Sequence, residues 1–158
     1  MSLDNTFEYT AVRFCDAHIA EAAELEKKYF SEPWSQNSLR LLCTEDYPSF
    51  AVCSADGSLV GYLSTAKALD ELQIINVAVR EDMRGRGIGS LLMRAADSYC
   101  LENSLLSISL EVRESNASAI SLYKRCGFVA AGIRKNFYRS PTENAVVMVR
   151  AHSADFPI

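Results

Sequence analysis

Residues 83–96 read MRGRGIGSLLMRAA, with Gly85, Gly87 and Gly89 alternating with Arg86 and Ile88. Glycine at that density costs backbone entropy, so the turn must need unusual torsions or the close approach of another group. Immediately afterwards Ile88, Leu91, Leu92, Ala95, Ala96 and Tyr99 recur at the spacing of one helix face, which predicts a helix to about Leu101. A helix start behind a glycine turn offers free amide N–H groups and the positive end of the dipole, a setting that favours an anion. Arg80, Arg84 and Arg86 add local positive charge to a chain whose formal net charge is −4.

The flanking patterns place this turn in an α/β domain. YTAVRFCD alternates as a strand, and Asp16 is positioned to cap a helix carrying Ile19, Ala22, Ala23 and Glu26. SEPW interrupts, and a short helix is predicted over Gln36 to Cys43. Two alternating runs joined across Asp56-Gly57 make a hairpin, and ELQIINVAV follows as a third strand after a turn at Leu69-Asp70. Beyond the glycine helix, LLSISLEV reads as a strand and NASAISLYKRC as a helix stopped by Gly127. FVAAGIRKNFY and NAVVMVR close the chain as two strands. The expected order is β-α-α-β-β-β-α-β-α-β-β, a mixed sheet of about seven strands with about four helices, antiparallel early and parallel around the glycine segment. A single domain over residues 5–152 is expected.

Composition narrows the function classes. With 49% hydrophobic and 23% charged residues the chain is of ordinary globular make-up, and no apolar run reaches the length that spans a bilayer. The start MSLDNTFEYT lacks the basic-then-apolar pattern of a secretory signal, which points to the cytoplasm. Cys15, Cys43, Cys53, Cys100 and Cys126 show no CxxC spacing and are expected as reduced thiols packed as small hydrophobes. His18 and His152 lie near opposite ends without paired ligands, so no metal site is expected. The acidic balance argues against general nucleic-acid binding and suits a cationic partner.

Three anion-binding readings compete for the glycine turn. A P-loop requires Lys and Ser/Thr where Leu91 and Leu92 stand, and fails. A dinucleotide site requires GxGxxG hard against a strand, whereas REDMR intervenes here; only Glu111, near the end of the next strand, favours it. The third pattern is R-x-x-G-x-G, formed by Arg84, Gly87 and Gly89. With its strand and helix it resembles the coenzyme A pyrophosphate loop of the GNAT superfamily of N-acetyltransferases. A flexible turn with no ligand is the plain alternative.

The resemblance extends along nearly the whole chain. EPWSQNSL, DELQIINVAVREDMRGRGIG, LEVRESNASAISLYKRCGF and IRKNFY followed by ENAVVM look like the RimI family of bacterial protein N-terminal acetyltransferases, in that family's order and spacing. The resemblance implies acetyl-CoA as donor and the N-terminal alanine of a basic small-subunit ribosomal protein as acceptor. It also implies direct attack of the amine in a ternary complex, with no role for membrane or nucleic acid. Val77, Ala78 and Val79 would pair with the pantetheine arm, helped by a local bulge. Arg84, Gly85, Arg86, Gly87, Ile88, Gly89 and Ser90 would hold the pyrophosphate, and Asn116 would contact the coenzyme. Glu111 matches the general base and Tyr123 the general acid, while Trp34 and Tyr138 match the substrate side. Phe137 and Asn144 depart from the family's paired tyrosines and Glu-Asp-Ala, which makes the last hairpin the place where acceptor preference would differ. Another amine (a lysine, a polyamine or a drug) and a non-catalytic acyl-CoA-binding role are the alternatives.

The chemistry holds on elementary grounds. An α-amine of pKa about 7.7–8.0 is roughly a third to a sixth neutral near pH ~7.3, whereas a lysine of pKa about 10.4 is neutral at about one part in a thousand. An N-terminal acceptor therefore removes on the order of 3 kcal/mol from deprotonation. A carboxylate acting through water then suffices as base, and a tyrosine stays protonated to serve the departing thiolate. Against these roles, Glu111 also reads as a solvated surface acid, Tyr123 as a core aromatic and Asn116 as a simple helix cap. Trp34 also reads as packing beneath the first loop, and Tyr138 as facing solvent.

Overall fold

The computed structural model describes residues 9–151, so residues 5–8 and His152 of the expected domain lie outside the described part. Its elements are β1 (Thr10–Arg13), α1 (Ile19–Tyr29), α2 (Gln36–Leu39), β2 (Phe50–Cys53), β3 (Leu59–Ala68), β4 (Glu71–Val79), α3 (Ile88–Glu102), β5 (Ser107–Arg113), α4 (Ala117–Arg125), β6 (Val129–Tyr138) and β7 (Glu143–Ala151). The order matches the sequence expectation element for element. The strands form one seven-stranded sheet in the order β1-β2-β3-β4-β5-β7-β6. Every neighbouring pair is antiparallel except β4 with β5, which the α3 crossover joins in parallel.

Local chemistry explains the joints, with two adjustments to the sequence reading. The β2–β3 hairpin turns at Gly57, whose φ is 86°, while Asp56 Oδ1 accepts from the Ser58 N–H at 2.9 Å. Asp16 does not cap α1. A 3₁₀ turn over Asp16–His18 precedes the helix, and the Cys15 N–H at its start donates to His18 Nδ1 at 3.0 Å. The second helix is also shorter than expected: Ser35 Oγ caps it by accepting from the Ser38 N–H, and after Leu39 it tightens into a 3₁₀ turn over Arg40–Cys43. All five cysteines are free thiols; Cys100 is buried, but Cys15 and Cys43 are exposed rather than packed.

Two apolar clusters flank the sheet. One joins Val60, Leu63, Leu72 and Ile74 to α3 through Ile88, Leu92 and Ala96, and continues across Ile108, Leu110 and Val112 to Tyr123, Phe128 and Met148. The other packs α1 and α2 through Ala22, Leu25, Leu39 and Leu42 against Ala51, Leu59, Tyr62 and Ala78. This second cluster draws only on the first half of the sheet.

The feature that makes the site is a change of phase in β4. Ser64 pairs with Asn76, but the adjacent Thr65 pairs with Ile74, so Ile75 is an extra residue, a bulge. Before the bulge Leu72 and Ile74 face the α3 cluster; after it Ala78 faces the α1 cluster. At the same place β4 leaves β5, since their ladder runs from Glu71↔Ser107 only to Ile74↔Leu110. Beyond Ile74 and Leu110 the two parallel strands part and leave a cleft.

Candidate active site

The glycine turn forms as the sequence anticipated. Gly85 and Gly87 have φ of 79° and 80°, torsions that disfavour any side chain, and a Cβ at either would meet no atom within 4 Å. Gly87 is the cap of α3, and the first bond of the helix runs from the Leu91 N–H to the Gly87 carbonyl at 3.0 Å. The preceding amide groups of the first turn have no partner within the helix, as at any helix start. Gly89 serves packing as well, because a Cβ there would lie 3.4 Å from Leu122 Cδ2 on α4.

The basic side chains behave differently from the sequence expectation of an anion-binding cluster. Arg80 forms a two-pronged pair with Asp82 at 2.9 and 3.0 Å. Arg84 donates from Nε to the Val79 carbonyl at 3.1 Å, and its guanidinium lies 4.7 Å from the centre of the Tyr29 ring. Arg86 reaches Tyr9 Oη at 3.4 Å. Arg84 and Arg86 thus fasten the turn to its surroundings, and what the turn leaves open is backbone.

Two cavities meet in the cleft. One, of about 720 Å³, is lined by Val77, Ala78, Val79, Arg84, Gly85, Gly87, Ile88, Gly89, Ser90, Asn116 and Tyr123. Apart from Tyr123, expected as the general acid, these are the residues expected to hold a coenzyme; Arg86, also expected, does not line this cavity. The other, of about 590 Å³, is lined by Trp34, Glu111, Tyr123 and Tyr138, the residues expected to act on or bind the acceptor, and by Asn116, expected at the coenzyme. Tyr29, Phe30, Val77, Asn116, Ala119 and Tyr123 belong to both walls. The bulge expected at Val77–Val79 is not there: those residues pair regularly with β3, and the irregularity lies earlier, at Ile75, which lines the second cavity.

Glu111 reaches the acceptor cavity because β5 alternates. Ile108, Leu110 and Val112 enter the core, and Glu111 and Arg113 point to the opposite face, outside the reach of the α1 cluster. Glu111 is partly exposed, and its Oε1 lies 3.6 Å from Arg134 Nε on β6. Tyr123 sits on α4, which Asn116 caps by accepting from the Ala119 N–H at 3.2 Å. Burial, with Tyr138 and Cys126 nearby, pushes the Tyr123 hydroxyl up to about 12. Its ring packs edge-on against Phe128 at 5.8 Å, as a core aromatic does, while the residue also lines both cavities. Tyr138 is also pushed up to about 12, by burial and then by the neighbouring Glu111 carboxylate.

The β6–β7 hairpin is fastened to β5 by Arg113. Its guanidinium donates to the carbonyls of Arg139 and Pro141, each at 3.0 Å, and pairs with Glu143 at 3.2 Å. It also lies 4.5 Å from the centre of the Tyr138 ring. Asn144, one of the departures from the family pattern, accepts the Asn136 N–H through Oδ1 at 3.0 Å, a role an aspartate oxygen would equally fill. Phe137, the other departure, lines the acceptor cavity and packs edge-on against Tyr138. Tyr29, Phe30, the Gln73–Asn76 stretch and Arg139 also line the cleft and were not anticipated. The bulge that turns Asn76 has no mark in the alternation of ELQIINVAV, and Tyr29 and Phe30 read simply as the apolar end of a helix.

A cleft between parted parallel strands, with an anion-ready turn at one end and a carboxylate and a buried phenol at the other, suits acyl transfer from a phosphate-tailed carrier to an amine. That defines an acyltransferase. Residues 19–128 match the model of the Acetyltransferase (GNAT) family, and the chain belongs to that family. A Bacillus subtilis (strain 168) relative is 38% identical over 126 residues, covering 79% of this chain and 83% of its own. The ribosomal protein bS18 alanine N-acetyltransferase of Salmonella typhimurium is 33% identical over 129 residues, 80% of this chain and 86% of its own. The crystal structure of the ribosomal-protein-S18-alanine N-acetyltransferase from Escherichia coli superposes with a TM-score of 0.83 at 26% identity, covering 95% of this chain and 99% of that one. The chain is an N-acetyltransferase of a family that uses acetyl-CoA. Among the described residues no helix is long and apolar enough to cross a membrane, and no cluster of three or more ligating side chains could hold a metal.

Proposed function

We propose that this enzyme acetylates the N-terminal amine of a protein, with the alanine terminus of ribosomal protein bS18 as acceptor, by direct attack within a ternary complex in the cytoplasm. The observation that carries the reading is the meeting of two cavities at Tyr123, one walled by the glycine turn and one by Glu111. The names of the Salmonella and Escherichia coli relatives support the acceptor.

Acetyl-CoA, when bound, supplies an acetyl group activated as a thioester. The residues present fit it: open space at Gly85 and Gly87, amide groups without helical partners, and the freed edge of β4 from Val77 to Val79. The amides of Gly85 to Ser90 hold the pyrophosphate, and Asn116 and the β4 edge align the rest. Glu111 takes the proton of the attacking amine through water, a demand a carboxylate meets because an α-amine is already partly neutral. Tyr123, held protonated well past neutrality, presents its O–H to the departing sulfur and stabilises the charge that develops there. Trp34 and Tyr138 flank the acceptor.

The test is acetyl-CoA turnover, by thiol release, on short peptides beginning Ala, Ser or Met and on an acetyl-blocked Ala peptide with an internal lysine. Turnover on the free Ala terminus and none on the blocked peptide is the expected result. Turnover on the blocked peptide would move the acceptor to lysine, and the altered hairpin at Phe137 would then be the place to seek the cause.

A further inference from the structure

Among the described residues two carboxylates are buried: Asp97 on α3 pairs with Arg150, whereas Glu26 forms no ion pair. Glu26 lies in the last turn of α1 and is 1% exposed. An ionisable group buried without a counter-charge is costly, and the cost calls for a reason. Its surroundings are neutral groups from three separate elements. Asn76 Nδ2 of β4 donates to Oε1 at 3.2 Å and lies 3.5 Å from Oε2. Burial raises the Glu26 carboxyl above the usual range, and the nearby Tyr62 hydroxyl of β3 and the backbone of Trp34, in the α1–α2 loop, temper that rise.

Two of those residues, Asn76 and Trp34, belong to the acceptor cavity, whereas Glu26 itself does not line it. Asn76 is the first residue after the Ile75 bulge, and its backbone is fixed from the other strand by Ser64 Oγ, which accepts the Asn76 N–H at 3.0 Å. Trp34 closes the loop whose Tyr29, Phe30, Ser31 and Glu32 form one wall of that cavity. The geometry points to Glu26 as a positioning residue for the reaction. Its carboxylate fastens the acceptor loop to the bulged strand, and so fixes the distance between the loop wall and the cleft. A carboxylate suits this task because two oxygens accept several N–H and O–H donors at once, which no neutral side chain of that size does. The acceptor part of this inference rests on the proposed function; the loop tether does not.

Trp34 is the only tryptophan of the chain, so its fluorescence reports on the tethered loop without any acceptor. In Glu26→Gln, emission is expected to shift to the red and to become more readily quenched by acrylamide. KM for the acceptor peptide is expected to rise about tenfold, with KM for acetyl-CoA changed less than about twofold. Glu26→Asp keeps the charge but falls short by one methylene, and is expected to show the same split in smaller degree; it serves if the Gln variant does not fold. Unchanged Trp34 quenching in a folded variant, or equal rises in both KM values, would overturn the inference. Absence of peptide turnover by the unaltered enzyme would instead sink the proposed acceptor, while the fluorescence arm still decides the tether.

Discussion

Arg113 and Glu143 form a partly buried pair at 3.2 Å that ties the end of β5 to the start of β7. The second oxygen of Glu143 accepts the Ser115 N–H at 2.6 Å, one residue before the Asn116 cap of α4. One carboxylate thus links the hairpin carrying Tyr138 to the helix carrying Tyr123. Hydrogen bonds from Ser115 and Arg113 hold its carboxyl below the usual carboxylate range. Glu143→Gln loses the charge on which both contacts lean. It is expected to lower kcat/KM for the peptide on the order of 10-fold to 100-fold by misplacing these groups. Steady-state kinetics with coenzyme affinity measured alongside checks this, and an unchanged kcat/KM would refute it.

Tyr123→Phe leaves the edge-on packing with Phe128 intact and removes one hydroxyl. The expected result is a fall in kcat of roughly 10²-fold to 10⁴-fold with coenzyme binding retained. Calorimetric titration with coenzyme A beside the thiol-release assay separates the two quantities. A variant that keeps its kcat would take Tyr123 out of the reaction.

Gly87→Ala isolates the torsional requirement of the turn, because no atom lies near the added methyl. Holding alanine at φ 80° is expected to cost about 1–2 kcal/mol. Gly61→Ala poses the opposite problem: its Cβ would sit 2.9 Å from the Ala78 carbonyl and 3.0 Å from Ile88 Cγ2. Overpacking of this kind costs typically about 1–3 kcal/mol and would push β3 away from β4 and α3. Thermal melts of both, with coenzyme affinity, should show Gly87→Ala losing affinity out of proportion to stability.

Tyr123 and Tyr138 each keep their proton to about 12 in the fold, against about 10 for an unfolded tyrosine. Folding therefore favours their neutral forms. The associated stability is intact below pH ~10 and is lost as pH rises toward ~12, because the unfolded chain releases those protons first. Phenolate absorbance and urea midpoints across this range check the sign: stability must decline with rising alkalinity, and Tyr123 and Tyr138, with the buried Tyr62, must titrate late.

Much of the architecture was legible in the sequence because its punctuation is chemical. Gly57, Gly87 and Gly127 each adopt a positive φ where a turn or helix end was expected, and the alternation of β5 placed Glu111 opposite Ile108, Leu110 and Val112. The bulge at Ile75 was not legible: the family resemblance implied one at Val77–Val79 instead. It inverts which side chains face α1, and pairing between strands far apart in sequence decides it. The partnership of Arg113 with the hairpin was hidden for the same reason, since its acceptors are carbonyls some 30 positions away. The side-chain partners of Arg80, Arg84 and Arg86 (Asp82, Tyr29 and Tyr9) were likewise not legible in the sequence, since two of them come from distant segments.

The four residue pairs that join β4 to β5 also make the sheet a hinged pair of panels. The apolar cluster on the α3 face crosses the seam, but the cluster under α1 and α2 stops short of it. Opening along that seam would widen the cleft, and the freed edge of β4 is what it would expose. A ligand that lies along this edge and touches both panels acts as mortar. By mass action it closes the seam and raises the resistance of the whole sheet to unfolding. The same parting of strands that opens the cleft leaves the middle of the sheet joined by a short seam.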